Sequence, residues 1–181
     1  MKFPIDATYL NVLGEYDPEQ TGRPPLIFLH GFTLSAKEWL PLFPLFKDQF
    51  QPIAIDILGH GESAIPENEE LYSFKFHAQL IHNLLAKLEM PRAHWIGYSL
   101  GGRLLLYYAL TYPETVNSMI LESTTAGIED AGERATRRKK DSQLAQFIRR
   151  NSIEKFVERW TRHPIFDSQN KLDSDKREFI K

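Results

Sequence analysis

The chain has 181 residues, no cysteine, and a formal net charge of −2 from 22 basic and 24 acidic side chains. That excludes a disulfide framework, a thiolate nucleophile and a Cys-ligated zinc, and it argues against a generally basic nucleic-acid binder. Hydrophobic residues at 42% and charged ones at 25% are the balance of a soluble globular protein that can bury a core. The longest apolar run, Leu104 to Leu110, falls far short of the ~20 residues of a membrane helix. No apolar stretch of signal-peptide length follows Met1, so a cytoplasmic location is expected.

In chain order, Leu26–Leu29 is a short apolar run that ends in His30-Gly31. Ile53–Ile57 is a second, followed by Leu58-Gly59-His60-Gly61. His94–Tyr98 is a third and Ser118–Leu121 a fourth. Runs apolar on both faces and closed by turns are the signature of a buried parallel sheet. Between the second and third, Ser73 caps a helix in which Leu80, Leu84 and Leu88 recur at four-residue spacing. Another helix starts after Ser99, runs through Leu104-Leu105-Leu106, and stops before Pro113. Being apolar nearly all round, it is expected to lie deeply buried. The alternation of strands and helices predicts an α/β layer architecture with right-handed crossovers.

The composition shifts near Gly127. Residues 1–126 carry 8 basic and 14 acidic side chains; residues 127–181 carry 14 and 10. We therefore expect an α/β core over 1–126 and a helical cap over 127–181. In the cap, Leu144, Phe147 and Ile148 make one helical stripe, and Ile153, Phe156, Val157 and Trp160 make another. The basic run Arg134, Arg137, Arg138, Lys139, Lys140 is flanked by Glu129, Asp130, Glu133 and Asp141 and has no aromatic residue within it. Nucleic acid is not its expected partner.

Gly97-Tyr98-Ser99-Leu100-Gly101 matches G-x-S-x-G between an expected strand and an expected helix, the context a nucleophile elbow requires. The sharp turn projects the serine hydroxyl above the sheet, and the helix N-terminus beneath supplies N–H groups for an oxyanion. The amides of Leu100, after the nucleophile, and Phe32, in the loop after the first run, are the expected oxyanion donors. His30, Asp56 and His60 are expected to brace loops rather than react.

Together, Leu29-His30-Gly31-Phe32, Asp56-x-x-Gly59-His60-Gly61-x-Ser63 and Gly97-Tyr98-Ser99-Leu100-Gly101-Gly102 resemble the α/β-hydrolase superfamily. The arginine in Gly102-Arg103, the run Leu121–Ile128, Glu133-Arg134-x-x-Arg137-Arg138, Phe156-x-x-x-Trp160 and Pro164-x-Phe166 narrow the resemblance. They are similar to the 2-succinyl-6-hydroxy-2,4-cyclohexadiene-1-carboxylate synthases of menaquinone biosynthesis. The resemblance implies a mostly parallel sheet with flanking helices and a helical cap. It implies a metal-free, cofactor-free elimination of pyruvate from a small polycarboxylate. Ser99 would be the catalytic serine, Arg103 and Arg137 the carboxylate ligands, and Tyr98 and Trp160 the pocket walls. Trp160 as a packing residue of the cap, and Arg137 as a solvated charge, stay open beside that reading.

In this superfamily an acid and then a histidine follow the serine in chain order. Nothing after Trp160 reads as a strand, and His163 is the one later histidine. The resemblance therefore implies a C-terminally truncated, inactive form whose fourth strand is an exposed edge open to self-association. A serine esterase, a C–C bond hydrolase of the same superfamily and a non-catalytic ligand-binding fragment remain as alternatives.

Overall fold

The computed structural model describes residues 1–5, 8–17 and 22–171. Among them, six strands form one sheet: β1 (Lys2–Ile5), β2 (Thr8–Leu13), β3 (Pro25–Leu29), β4 (Gln51–Ile55), β5 (Ala93–Tyr98) and β6 (Val116–Glu122). Their order is β1-β2-β4-β3-β5-β6. The pairs β4–β3, β3–β5 and β5–β6 are parallel, while β1 and β2 are antiparallel to their neighbours. The four parallel strands are those expected from the apolar runs. β1 and β2 are additions that those runs did not reveal.

Every residue of β3 is buried, because this strand is covered on both faces. Ile27 and Leu29 belong to the larger core cluster, with Trp95, Leu104, Leu105 and Tyr108. Leu26 and Phe28 turn to a second cluster with Ala54 and Ile96, closed by Trp39, Phe43 and Phe46. The residues on that second face come from the 3-10 segment Ala36–Leu42 and the short helix α1 (Phe43–Phe46).

Helix α2 (Phe74–Lys87) starts where expected, with the Ser73 hydroxyl accepting from the Phe76 N–H at 3.3 Å. It buries Leu80, Ile81, Leu84 and Leu85. Helix α3 (Leu100–Thr111) buries Leu104, Leu105 and Tyr108. Its opposite flank is not buried as expected: Tyr107 is 37% and Leu110 85% exposed. A helix lying on a sheet covers only the stripe that touches it, and apolar character all round does not change that.

The chain divides into two compact units, Met1–Ala126 and Gly127–Lys181. The second contains α4 (Ala131–Arg150), capped by Asp130 accepting from the Glu133 N–H at 2.7 Å, and α5 (Ile153–Thr161). The two cap stripes form but are largely uncovered: Ile148, Ile153 and Val157 are exposed, Leu144, Phe147 and Trp160 are half-buried, and of the seven only Phe156 is buried. Among the described residues no helix is long and apolar enough to cross a membrane.

Candidate active site

β5 runs straight into α3, and the single residue between them is Ser99. Its backbone sits at φ 49°, ψ −106°, a region that non-glycine residues enter only under constraint, at about 1–3 kcal/mol. The constraint is visible. The Ser99 N–H donates to the Glu122 carbonyl of β6 at 2.9 Å, and the Ser99 carbonyl accepts from the Arg103 N–H at 3.0 Å. The elbow is thus held from the sheet on one side and the helix on the other.

The neighbouring glycines let the pieces close up. A Cβ on Gly101 would run into the Leu29 carbonyl oxygen and lie 2.6 Å from that of His30. The first turn of α3 therefore lies directly against the end of β3, where Leu29 pairs with Gly97. This brings the loop bearing Phe32 beside the turn bearing Leu100, the two expected oxyanion donors. Leu100 opens α3, so its N–H has no partner within the helix. The Tyr98 ring covers the same loop: a Cβ on Gly31 would come within 2.8 Å of its Cδ1.

Beneath that loop is a buried polar brace. His30 Nε2 accepts from the Ile57 N–H at 3.0 Å, which leaves Nδ1 as the protonated nitrogen, donating to the Gly31 carbonyl at 2.8 Å. Both ring nitrogens are used, so His30 is a strut, as its motif implied. Asp56, 1% exposed, accepts from the Ala36 N–H at 2.6 Å, Asn11 Nδ2 at 2.8 Å and the Glu62 N–H at 2.9 Å. Ser63 Oγ donates to the Asp56 carbonyl and accepts from the Asn11 N–H. Asn11 escaped the motif reading. Its signal is a lone amide in the apolar run Tyr9-Leu10-Asn11-Val12-Leu13.

Burial pushes the His30 pKa down to about 4, reinforced by the neighbouring His60 and opposed by the hydrogen bond to Gly31. His77 is also lowered, again mainly by burial. The unfolded chain therefore binds these protons near pH 6.5, before the folded chain does. Stability is full above that pH and falls as pH drops from about 6.5 to about 4, by on the order of 3 kcal/mol for His30. Urea midpoints at pH 7 and pH 4.5 check this. His30→Gln should flatten the dependence, and an equal dependence in both proteins would contradict the assignment.

Arg103, one helical turn beyond Ser99, is half-buried, and among the described residues it has no ion pair or side-chain hydrogen bond. Arg137 lies in α4 of the second unit, exposed, with Nε 2.9 Å from both carboxylate oxygens of Asp141. Trp160 in α5 packs on Phe156, His163 and Phe166 at ring separations of 5.9, 6.1 and 5.8 Å. Phe32, Tyr98, Ser99, Leu100 and Arg103 belong to the first unit, Arg137 and Trp160 to the second.

His60, His77, His82 and His94 have other partners. His60 Nδ1 lies against the Leu58 carbonyl, His77 Nδ1 against that of Ser73, and His94 Nδ1 against Ser118 Oγ. His82 stacks on Tyr112 at 4.0 Å. Among the described residues no hydrogen bond joins a histidine to Ser99. Glu122 contributes its backbone carbonyl to the elbow, while its carboxylate accepts from Ser123 Oγ.

The model of the α/β hydrolase fold matches residues 24–176. The chain belongs to the α/β-hydrolase fold family. Within it, the chain is similar to a Bacillus subtilis (strain 168) protein named "Putative 2-succinyl-6-hydroxy-2,4-cyclohexadiene-1-carboxylate synthase", with 41% identity over 84% of this chain and 55% of that one. A protein of the same name from Enterobacter sp. (strain 638) is 30% identical over 85% of this chain and 58% of its own length. This α/β-hydrolase chain thus spans a little over half the length of these relatives. The solved structure of MenH from S. aureus superposes with a TM-score of 0.83 and 31% identity, over 94% of this chain and 63% of that one.

Proposed function

We propose that this chain acts in the elimination of pyruvate from 2-succinyl-5-enolpyruvyl-6-hydroxy-3-cyclohexene-1-carboxylate. The similarity to the synthases supports that substrate. The observation that carries the reading is Arg103: a half-buried guanidinium one helical turn past the strained Ser99, with no internal anion to satisfy it among the described residues. A permanently charged planar fork beside a nucleophile elbow suits a substrate with several carboxylates and has no use in a simple esterase.

In this reading Ser99 Oγ, its own proton passed to a base, takes the ring proton; the C–H electron pair becomes the new ring double bond, and the C–O bond breaks with its pair on the departing enolpyruvate, which gains a proton to become pyruvate. Negative charge that develops on the substrate is met by the amides of Phe32 and Leu100. Arg103 holds one carboxylate and Tyr98 lines the pocket. For Arg137 and Trp160 a part in substrate binding rests on the family resemblance alone. The Asp141 contact of Arg137 is an exposed i,i+4 pair, of the kind worth well under ~1 kcal/mol and readily exchanged for a ligand. No metal or cofactor takes part. The protein acts in the cytoplasm, on a small molecule rather than on nucleic acid or membrane.

Proton abstraction needs a base on Ser99 Oγ, and among the described residues no histidine hydrogen-bonds to it. The 181-residue chain alone should therefore turn over slower by several orders of magnitude than an enzyme with a complete triad. Binding needs no such base, so it is the cleaner test. A charge-assisted contact contributes ~1.5–3 kcal/mol, so Arg103→Ala should weaken substrate binding about 10- to 100-fold by calorimetry. Arg103→Lys should recover part of the loss. Unchanged affinity in Arg103→Ala would remove the basis for a polycarboxylate substrate.

A further inference from the structure

The turn that follows β6 adjoins the elbow and is held as tightly. Ser123 sits at φ 49°, in the left-handed region that a non-glycine residue enters only when its surroundings keep it there. Thr124 supplies that hold: its Oγ1 donates back to the Glu122 carbonyl at 2.9 Å, closing the chain over Ser123. The same carbonyl oxygen accepts the Ser99 N–H at 2.9 Å, the last rung between β5 and β6. A carbonyl oxygen has two lone pairs, and here each meets a donor. The Ser123 hydroxyl does not compete, because it donates to the Glu122 carboxylate at 3.1 Å.

The first turn of α3 leaves room for Thr124. A Cβ on Gly102 would fall on the Thr124 hydroxyl, and one on Gly97 would come within 2.7 Å of the Gly102 Cα. The end of β5, the first turn of α3 and Thr124 are therefore in direct contact, with no side chain between them at either glycine. We infer that Thr124 is a positioning residue for Ser99. It acts through the Glu122 carbonyl rather than on substrate. Thr124 fixes the direction of that carbonyl, and the carbonyl fixes the Ser99 N–H and with it the φ of 49° from which the Ser99 side chain leaves the turn. Two strained residues, Ser99 and Ser123, are tied to one acceptor, and each of its donors keeps the peptide in place for the other. The consequence for turnover rests on the reading of Ser99 as the reacting residue; the hold on its backbone does not.

Thr124→Val keeps the shape and removes the donor, whereas Thr124→Ser keeps the donor. Amide hydrogen exchange on the 181-residue chain, read by NMR, tests the hold itself. The Ser99 N–H should exchange about 10-fold faster in Thr124→Val and near the wild-type rate in Thr124→Ser, while the Ile96 N–H, deeper in β5, changes less than about 2-fold. Turnover tests the consequence. With imidazole added as a diffusible base, pyruvate release should fall about 10-fold in Thr124→Val at unchanged substrate affinity by calorimetry, and return in Thr124→Ser. Equal Ser99 exchange in wild type and Thr124→Val would overturn the inference. So would equal acceleration at Ser99 and Ile96, the mark of a loosened sheet, or a Thr124→Val chain that releases pyruvate as fast as wild type. A wild-type chain with no Ser99-dependent release would count against the proposed reaction instead, and the exchange result would then decide on Thr124.

Discussion

Asp56→Ala should lower the stability of the chain by about 4 kcal/mol, one of the largest single-residue effects in the molecule. The carboxylate collects three donors, two of them from buried residues: the Asn11 side chain and the Ala36 N–H, on residues 3% and 0% exposed. Removing it strands those donors away from water, at ~1–3 kcal/mol for each. Asp56→Asn keeps the shape but turns an amide N–H toward one of the donors, so it should fall between wild type and alanine. The effect reaches the site because the Ala36 contact anchors the segment that follows Phe32. Urea unfolding followed by circular dichroism measures it. A loss under about 1 kcal/mol would mean that water replaces the carboxylate and that the brace is not structural.

How far such a site can be read from sequence depends on what kind of information each residue carries. The elbow was legible because its requirements are local: small residues at Gly97 and Gly101, a strand before and a helix after. The buried strands β3, β4 and β5 announced themselves by apolar runs. β1 did not, because it is a four-residue edge strand containing Pro4, tolerated only where no ladder partner is needed. The segment over Ala36–Phe46 was hidden by Pro41 and Pro44, which break any helical pattern, although its side chains close one face of the sheet.

The exposure of Leu110 and of the cap stripes was not legible for another reason. Periodicity tells which residues share a flank, not whether a neighbour arrives to cover it. The same limit applies to Asn11, whose partner Asp56 is 45 residues away. Arg137 is the converse case. Its pairing with Asp141 at i+4 was open to a sequence reader, whereas the substrate-binding role proposed for it rests on family resemblance.

The second large effect concerns catalysis itself. Ser99 has the strained backbone, the helix beneath and the adjoining amide loop, but no described histidine to receive its proton. A small diffusible base should then substitute in part. Imidazole added to the chain should accelerate pyruvate release from 2-succinyl-5-enolpyruvyl-6-hydroxy-3-cyclohexene-1-carboxylate, saturably in substrate. Ser99→Ala should bind the substrate as wild type does and lose the imidazole-dependent rate by at least about 100-fold, since the hydroxyl that relays the proton is gone.

The measurement that bears most directly on the account is that comparison: imidazole-dependent pyruvate release by the wild-type chain and by Ser99→Ala, at matched substrate occupancy. The expected result is a rate enhancement present in the first and absent in the second. Equal rates in the two proteins would contradict the assignment of Ser99 as the reacting residue and, with it, the proposed lyase function.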